Sequence, residues 1–213
     1  MSGIAGARSA PAPVGTRDAR ALVLWLVAAV VAGTGAGWAL PKTIGLAPQP
    51  QFSAQLGGNF TLQSSDGTTI TDRSLKGAPF VMVFGYSRCG AACEARLIRL
   101  AAWRRTLGEQ GKALRIVLVS VDPARDTPQR IRAFAQRIDP AILALTGTQQ
   151  AIAQTTRAYN AMHFAAPLCG GDYTIIHSGA AYLMDADGRA RAIITEDEAP
   201  TAALGKLRAL VRT

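Results

Sequence analysis

The sequence predicts an α/β domain whose parallel or mixed sheet is covered by helices on both faces and begins with a β-hairpin. Two continuous apolar runs, "PFVMVFGY" (79–86) and "LRIVLVSVDP" (114–123), carry this prediction first. Unbroken runs bounded by turn residues are the pattern of strands buried on both faces. Each run is followed by a segment of helical periodicity, and strands alternating with helices make a parallel or mixed sheet. Asp-Gly steps at Asp66–Gly67 and Asp187–Gly188 add hairpins at the two ends.

Taken in order, "NFTLQSSDGTTITD" alternates apolar and polar residues about its Asp-Gly turn and predicts the opening hairpin. After the first buried strand, Leu97, Leu100, Trp103 and Leu107 recur every three or four residues, predicting an amphipathic helix that ends near Gly111. Thr127-Pro128 predicts a helix start with proline in the first turn, running to about Ile138. "ILALTG" reads as a short strand or turn and "TQQAIAQTTRAYNAM" as a helix. "YTIIHSGAAYLMDADGRARAII" reads as two strands joined at Asp187–Gly188, and a helix from about Ala199 to Arg212 closes the chain.

At 213 residues the chain has room for one domain with a full core and hardly for two. Ahead of that domain, the twenty residues from Ala21 to Leu40 carry no charge. About 20 apolar residues in a helix span a bilayer. Arg8, Arg17 and Arg20 precede the run, so the positive-inside rule leaves residues 1–20 as a disordered cytoplasmic tail and exports the rest. A cleaved signal peptide is the competing reading, and it too exports the domain. Residues 41–57 read as a linker and 58–213 as the folded domain.

The net charge is +9, and 19 basic against 13 acidic residues remain after Lys42. The arginines are scattered along helices, without the basic patch and interleaved aromatics of a nucleic-acid binder. Nucleic acid is therefore excluded as a partner, and a basic surface facing an acidic partner or membrane is expected. No phosphate loop, paired-carboxylate site or nucleophilic serine signature is present.

Three cysteines are too few for a disulfide-scaffolded fold. Cys89 and Cys93 follow the first core strand where it gives way to a helix, the arrangement of a thioredoxin-like fold. A helix N-terminus favours thiolates, and sites in open α/β sheets gather at the carboxyl ends of strands. Placed together on the first helical turn, the two thiols would share a face. A passive disulfide, a redox pair and a metal site are all open; so short a loop makes the passive disulfide weak. His177 on a predicted strand reads by itself as a core or surface histidine, but with the two cysteines it would make a trigonal set suited to copper, as soft thiolates select Cu(I). Cys169 offers a fourth ligand for a zinc site, a resolving thiol, or simply an extra loop thiol. His163 is read as a cap or a solvent-facing residue at a helix end. Asp122 and Asp126 are read as helix caps or as partners of Arg125.

Together the C-x-x-x-C after "VFGYSRC", "VSVDPARDTP", "LTGT" and "DYTIIHSGAAYLMDADG" resemble the Sco/SenC family of membrane-anchored, thioredoxin-like copper proteins, in the family's order. The resemblance implies one copper ion, Cu(I) or Cu(II), held by Cys89, Cys93 and His177. It implies delivery to the binuclear copper centre of cytochrome c oxidase, with that enzyme's copper-bearing subunit as partner. It also implies a place in the inner membrane with the domain in the periplasm, and contact with another copper chaperone or a thioredoxin-like reductant. Some family members act mainly as thiol-disulfide reductases, so the pair Cys89 and Cys93 is also expected to be redox-active. Two departures stand beside the ligands. Gly90-Ala91-Ala92 and then Glu94 replace the family's usual Pro-Asp-Val and Pro, and Ile176 replaces the usual Asp before the histidine.

Overall fold

The computed structural model describes residues 56–212. The predicted tail, the apolar run 21–40 and most of the linker lie outside these residues. Among the described residues no helix is long and apolar enough to cross a membrane.

A seven-stranded sheet organises the domain, with strands in the order β2-β1-β5-β4-β3-β8-β9. Its centre is parallel: β3 (Phe80–Gly85) pairs with β4 (Arg115–Ser120), and β4 with β5 (Ile142–Thr146). The opening hairpin, β1 (Thr61–Ser64) and β2 (Thr69–Thr71), adds antiparallel to β5 at one edge. At the other edge β8 (Ala181–Met184) runs antiparallel to β3, and β9 (Ala190–Ile194) follows it. The apolar run at β3 is continuous because both faces are buried. Val81 and Val83 point into one core with Leu97, Ile116, Leu118, Ile131 and Leu207. Phe80, Met82 and Phe84 point into the other with Val117, Leu145, Ile152 and Tyr182. There Phe84, Tyr159 and Tyr182 stand edge-on to one another, with centroids 5.6–5.8 Å apart.

Helices α1 (Ala91–Thr106), α3 (Pro128–Ile138) and α5 (Pro200–Leu210) supply the first core, and α4 (Gln149–Ala158) the second. Thr127 caps α3 as its sequence suggests, its side chain accepting from the Arg130 N–H, and Thr148 caps α4 the same way from Ala151.

Three elements differ from expectation. The helix expected to end near Gly111 stops at Thr106, and a separate five-residue helix, α2 (Glu109–Ala113), follows. The break falls at Gly108, whose φ of 59° a helix cannot accommodate. "YTIIH" does not join the main sheet: it is β7 (Tyr173–His177), paired antiparallel with an unanticipated β6 (His163–Pro167) in a two-stranded sheet of its own. The terminal hairpin is therefore β8–β9 alone. His163 does not end a helix but opens β6, directly opposite His177.

The α1–α2 junction depends on Gly111, which is buried against the carbonyl of Arg104; a Cβ there would collide with backbone. Gly111→Ala should cost about 1–3 kcal/mol, the usual range for overpacking, read as a lower urea midpoint with an unchanged slope.

Candidate metal centre

The site lies where β3 ends. Gly85 closes the strand, Val121 N–H donates to its carbonyl, and the chain turns through Tyr86 to Cys89, whose N–H donates back to Tyr86 O at 3.2 Å. Gly90 then has φ 83° and ψ −169°, a conformation closed to residues with a Cβ, and α1 begins at Ala91. The cysteines therefore do not share a helical turn. Cys89 precedes the helix in the loop, and Cys93 stands in the first turn, where the helix dipole favours a thiolate. Their Cα atoms are 5.8 Å apart and the structure holds them as a disulfide.

From β7, His177 brings Nε2 to 3.1 Å from Cys89 Sγ and 3.2 Å from Cys93 Sγ. Its Nδ1 lies 3.1 Å from the carbonyl of Ser178. A carbonyl can only accept, so Nδ1 carries the proton and Nε2 faces the sulfurs with its lone pair. The three ligand atoms lie within 4.8 Å of one another and are partly buried. Reduction of the disulfide by two electrons and two protons gives two thiols; with those protons displaced, two thiolates and one imidazole would form a set that fits a single soft ion. The sulfurs and the imidazole line a cavity of about 220 Å³ with Ile176 and the ion-paired Arg96 and Glu196.

Asp126 fastens the loop before the cysteines. It is 1% exposed, and its carboxyl accepts from the Ser87 N–H (2.9 Å), from Ser87 Oγ and from Ser120 Oγ (2.7 Å). It therefore ties the Cys loop to the end of β4 and leaves the capping of α3 to Thr127. Asp122 takes the other expected role, accepting from Arg125 Nε at 2.5 Å. Tyr86 fastens the opposite strand: its hydroxyl lies 2.8 Å from Thr174 Oγ1 and accepts from the Ile175 N–H.

Cys169 is free and exposed on a 3-10 turn, Cys169–Gly171, and takes no part in the ligand group, so the four-ligand zinc arrangement is not assembled among the described residues. Burial, then the neighbouring His177, hold His163 below the ordinary imidazole pKa. Ile176 and its cross-strand partner Phe164 are both 47% exposed, an apolar pair beside the site. Sequence reasoning missed Tyr86 and the anchoring role of Asp126. Nothing in residue spacing announces a tether between elements remote in the chain.

The SCO1/SenC family model matches residues 48–212. Over 134 residues the chain is 40% identical to protein SenC of Rhodobacter capsulatus, covering 62% of this chain and 60% of the relative. Over 138 residues it is 34% identical to mitochondrial protein SCO1 of Saccharomyces cerevisiae, covering 63% and 46%. The chain thus spans about half the length of these relatives. Among solved structures, ScoI of Bradyrhizobium japonicum with copper bound superposes with a TM-score of 0.67 at 33% identity, over 73% of this chain and 99% of the other. BsSco, a member of the Sco family of cytochrome c oxidase assembly proteins with an identified disulfide switch, shares the fold at 23% identity (TM-score 0.60, over 75% of this chain and 95% of the other).

Removing the Asp126 carboxyl strands the Ser120 hydroxyl and the Ser87 N–H, each at about 1–3 kcal/mol if left unpaired. Asp126→Ala should therefore unfold at lower urea and show faster hydrogen exchange at Ser87 and Cys89; wild-type exchange there would show that the loop is held by other means. Fold, site and family match agree: the chain belongs to the SCO1/SenC family.

Proposed function

We propose that this chain is a copper metallochaperone, holding one copper ion as cargo through Cys89, Cys93 and His177. The observation that carries the reading is the convergence of two sulfurs and one imidazole nitrogen within 4.8 Å. Thiolates favour Cu(I), and the imidazole completes a trigonal set that also accommodates Cu(II) with a weak further ligand. The copper-bound ScoI structure at 33% identity supports the choice of metal. Loading requires the reduced pair, because a disulfide has no thiolate to offer. Release then proceeds by ligand exchange with cysteines of the acceptor, and the exposed pair Phe164 and Ile176 beside the cavity gives it an apolar seat.

The acceptor we propose is the copper-bearing subunit of cytochrome c oxidase, in line with the assembly role stated for BsSco. Another copper chaperone would supply the ion and a thioredoxin-like protein the reducing equivalents. In this reading residues 21–40 anchor the chain in the inner membrane, residues 1–20 are cytoplasmic, and residues 41–57 link the anchor to the periplasmic domain, 58–213.

The second reading, a membrane-anchored thiol-disulfide reductase, draws on the paired state of Cys89 and Cys93. One thiolate of the reduced pair attacks a target disulfide and releases one target thiolate. The other thiolate attacks the mixed disulfide, releases the second target thiol and closes Cys89–Cys93, so two electrons pass to the target.

His177 separates the readings. Under reducing conditions the wild type should take up one equivalent of copper. His177→Ala should lose tight, stoichiometric binding while its thiols still reduce a small disulfide at a rate near wild type. Full copper affinity in the variant would show the ligand set to be wrong, and zinc retained in place of copper would remove the copper reading.

A further inference from the structure

Among the described residues β7 pairs with one strand, β6, and with none of the main sheet, so contacts other than strand pairing must hold His177 against the sulfurs. The residues leading to His177 are tied down one after another. Asp172 Oδ2 accepts from Arg88 Nη2 at 2.7 Å, and Arg88 immediately precedes Cys89. Asp172 Oδ1 accepts from Arg125 Nη1 at 2.9 Å and from the Tyr173 N–H at 2.8 Å. The same Arg125 nitrogen donates to the Tyr173 carbonyl at 2.8 Å, and its guanidinium lies 3.6 Å from the centre of the Tyr173 ring. The Tyr173 hydroxyl donates to Asp122, which is itself paired with Arg125.

We propose that Asp172 is a positioning residue for the metal centre: shared between Arg88 of the Cys loop and Arg125 of the β4–α3 loop, its carboxylate sets the reach of His177 to both sulfurs. The two arms differ in kind. Arg125 is 14% exposed and is held from behind by Asp122, which is 2% exposed, so this arm approaches the 44% exposed Asp172 from a buried, fixed guanidinium. Arg88 and Asp172 are 48% and 44% exposed, and a pair of that kind is weak alone. Its role is registration, since it links the residue beside Cys89 directly to the strand of His177. Aspartate suits the position because its two oxygens serve two arginines that approach from different loops. Loss of the tether leaves β7 held by Tyr86 at Thr174 and Ile175 but no longer registered against the residue beside Cys89, so the imidazole is placed less precisely against the sulfurs.

This inference rests on the copper reading, and its test separates the two. Wild type, His177→Ala, Asp172→Ala, Asp172→Glu and Arg88→Met are compared as full chains with the cysteines reduced. Cu(I) affinity is measured by competition with a chromophoric chelator, and the Cu(II) complex by its sulfur-to-copper absorption band. Asp172→Ala should bind Cu(I) several-fold more weakly, a smaller loss than the roughly 10–100-fold that follows removal of a direct hydrogen-bond partner of a ligand. Its absorption band should shift toward that of His177→Ala, and Asp172→Glu should recover part of both. Wild-type affinity and band in Asp172→Ala would overturn the proposal. Should Asp172→Ala fail to fold, the exposed Arg88→Met decides: weaker binding at an unchanged melting temperature supports the tether, and unchanged binding overturns it. Should the wild type itself take up no copper, the copper reading fails while the tether is still decided. The ring signals of His177 in metal-free NMR spectra should be sharp in wild type and broadened or displaced in Asp172→Ala; identical signals would contradict it.

Discussion

The structure depends on a meeting of groups 84 residues apart: the Nε2 of His177 must stand beside Cys93 Sγ and Cys89 Sγ. The parallel pairing of β3 with β4 makes the meeting feasible, because it brings the carboxyl ends of both buried strands to one edge of the domain. The Cys loop leaves from β3, and the loop that holds the His strand leaves from β4. Buried polar groups join them. Asp126 secures the first loop, Asp122 with Arg125 secures the second, and Tyr86 spans from the first to β7. These groups are buried and pair with one another, apart from Arg125 Nη2, which has no hydrogen-bond partner among the described residues; in such surroundings each bond made is strong and each loss expensive.

The same arrangement bears on both proposed chemistries, copper binding and thiol exchange. Cys89 lies outside the helix and Cys93 inside its first turn, with Gly90 at positive φ between them. The imidazole approaches both sulfurs from the opposite side, on a strand that is not itself part of the main sheet. In the proposed readings oxidation state governs whether the sulfurs can serve as ligands, and in the disulfide-bonded structure the imidazole already stands beside them.

Much of this was legible in the residues. The strand-to-helix position of the cysteines, the hairpin at Asp66–Gly67 and the Thr127-Pro128 helix start followed from local chemistry, which needs no tertiary context. The ligand set rested on the family resemblance, and the geometry brings together the residues it implied. What was not legible is non-local. β6 was missed because "HFAAP" carries no alternation and ends in proline; it exists because β7 supplies it with a partner. The helix break at Gly108 is a single backbone conformation inside an otherwise periodic segment. Asp126 reads from sequence as a helix cap or a partner of Arg125 and Asp172 is not singled out at all, because the partners that join them to other loops lie 39 to 84 residues away. Within the atypical Gly90-Ala91-Ala92, the glycine has a clear reason in its positive φ. The two alanines have none beyond continuing the helix.

The central claim is that two thiolates and one imidazole of this chain form a copper site. X-ray absorption at the copper edge of the loaded, reduced full chain tests it most directly. The account predicts a first shell of two sulfurs and one imidazole nitrogen, with the imidazole scattering lost in His177→Ala. A shell with a third sulfur, or imidazole scattering that survives the substitution, would contradict it.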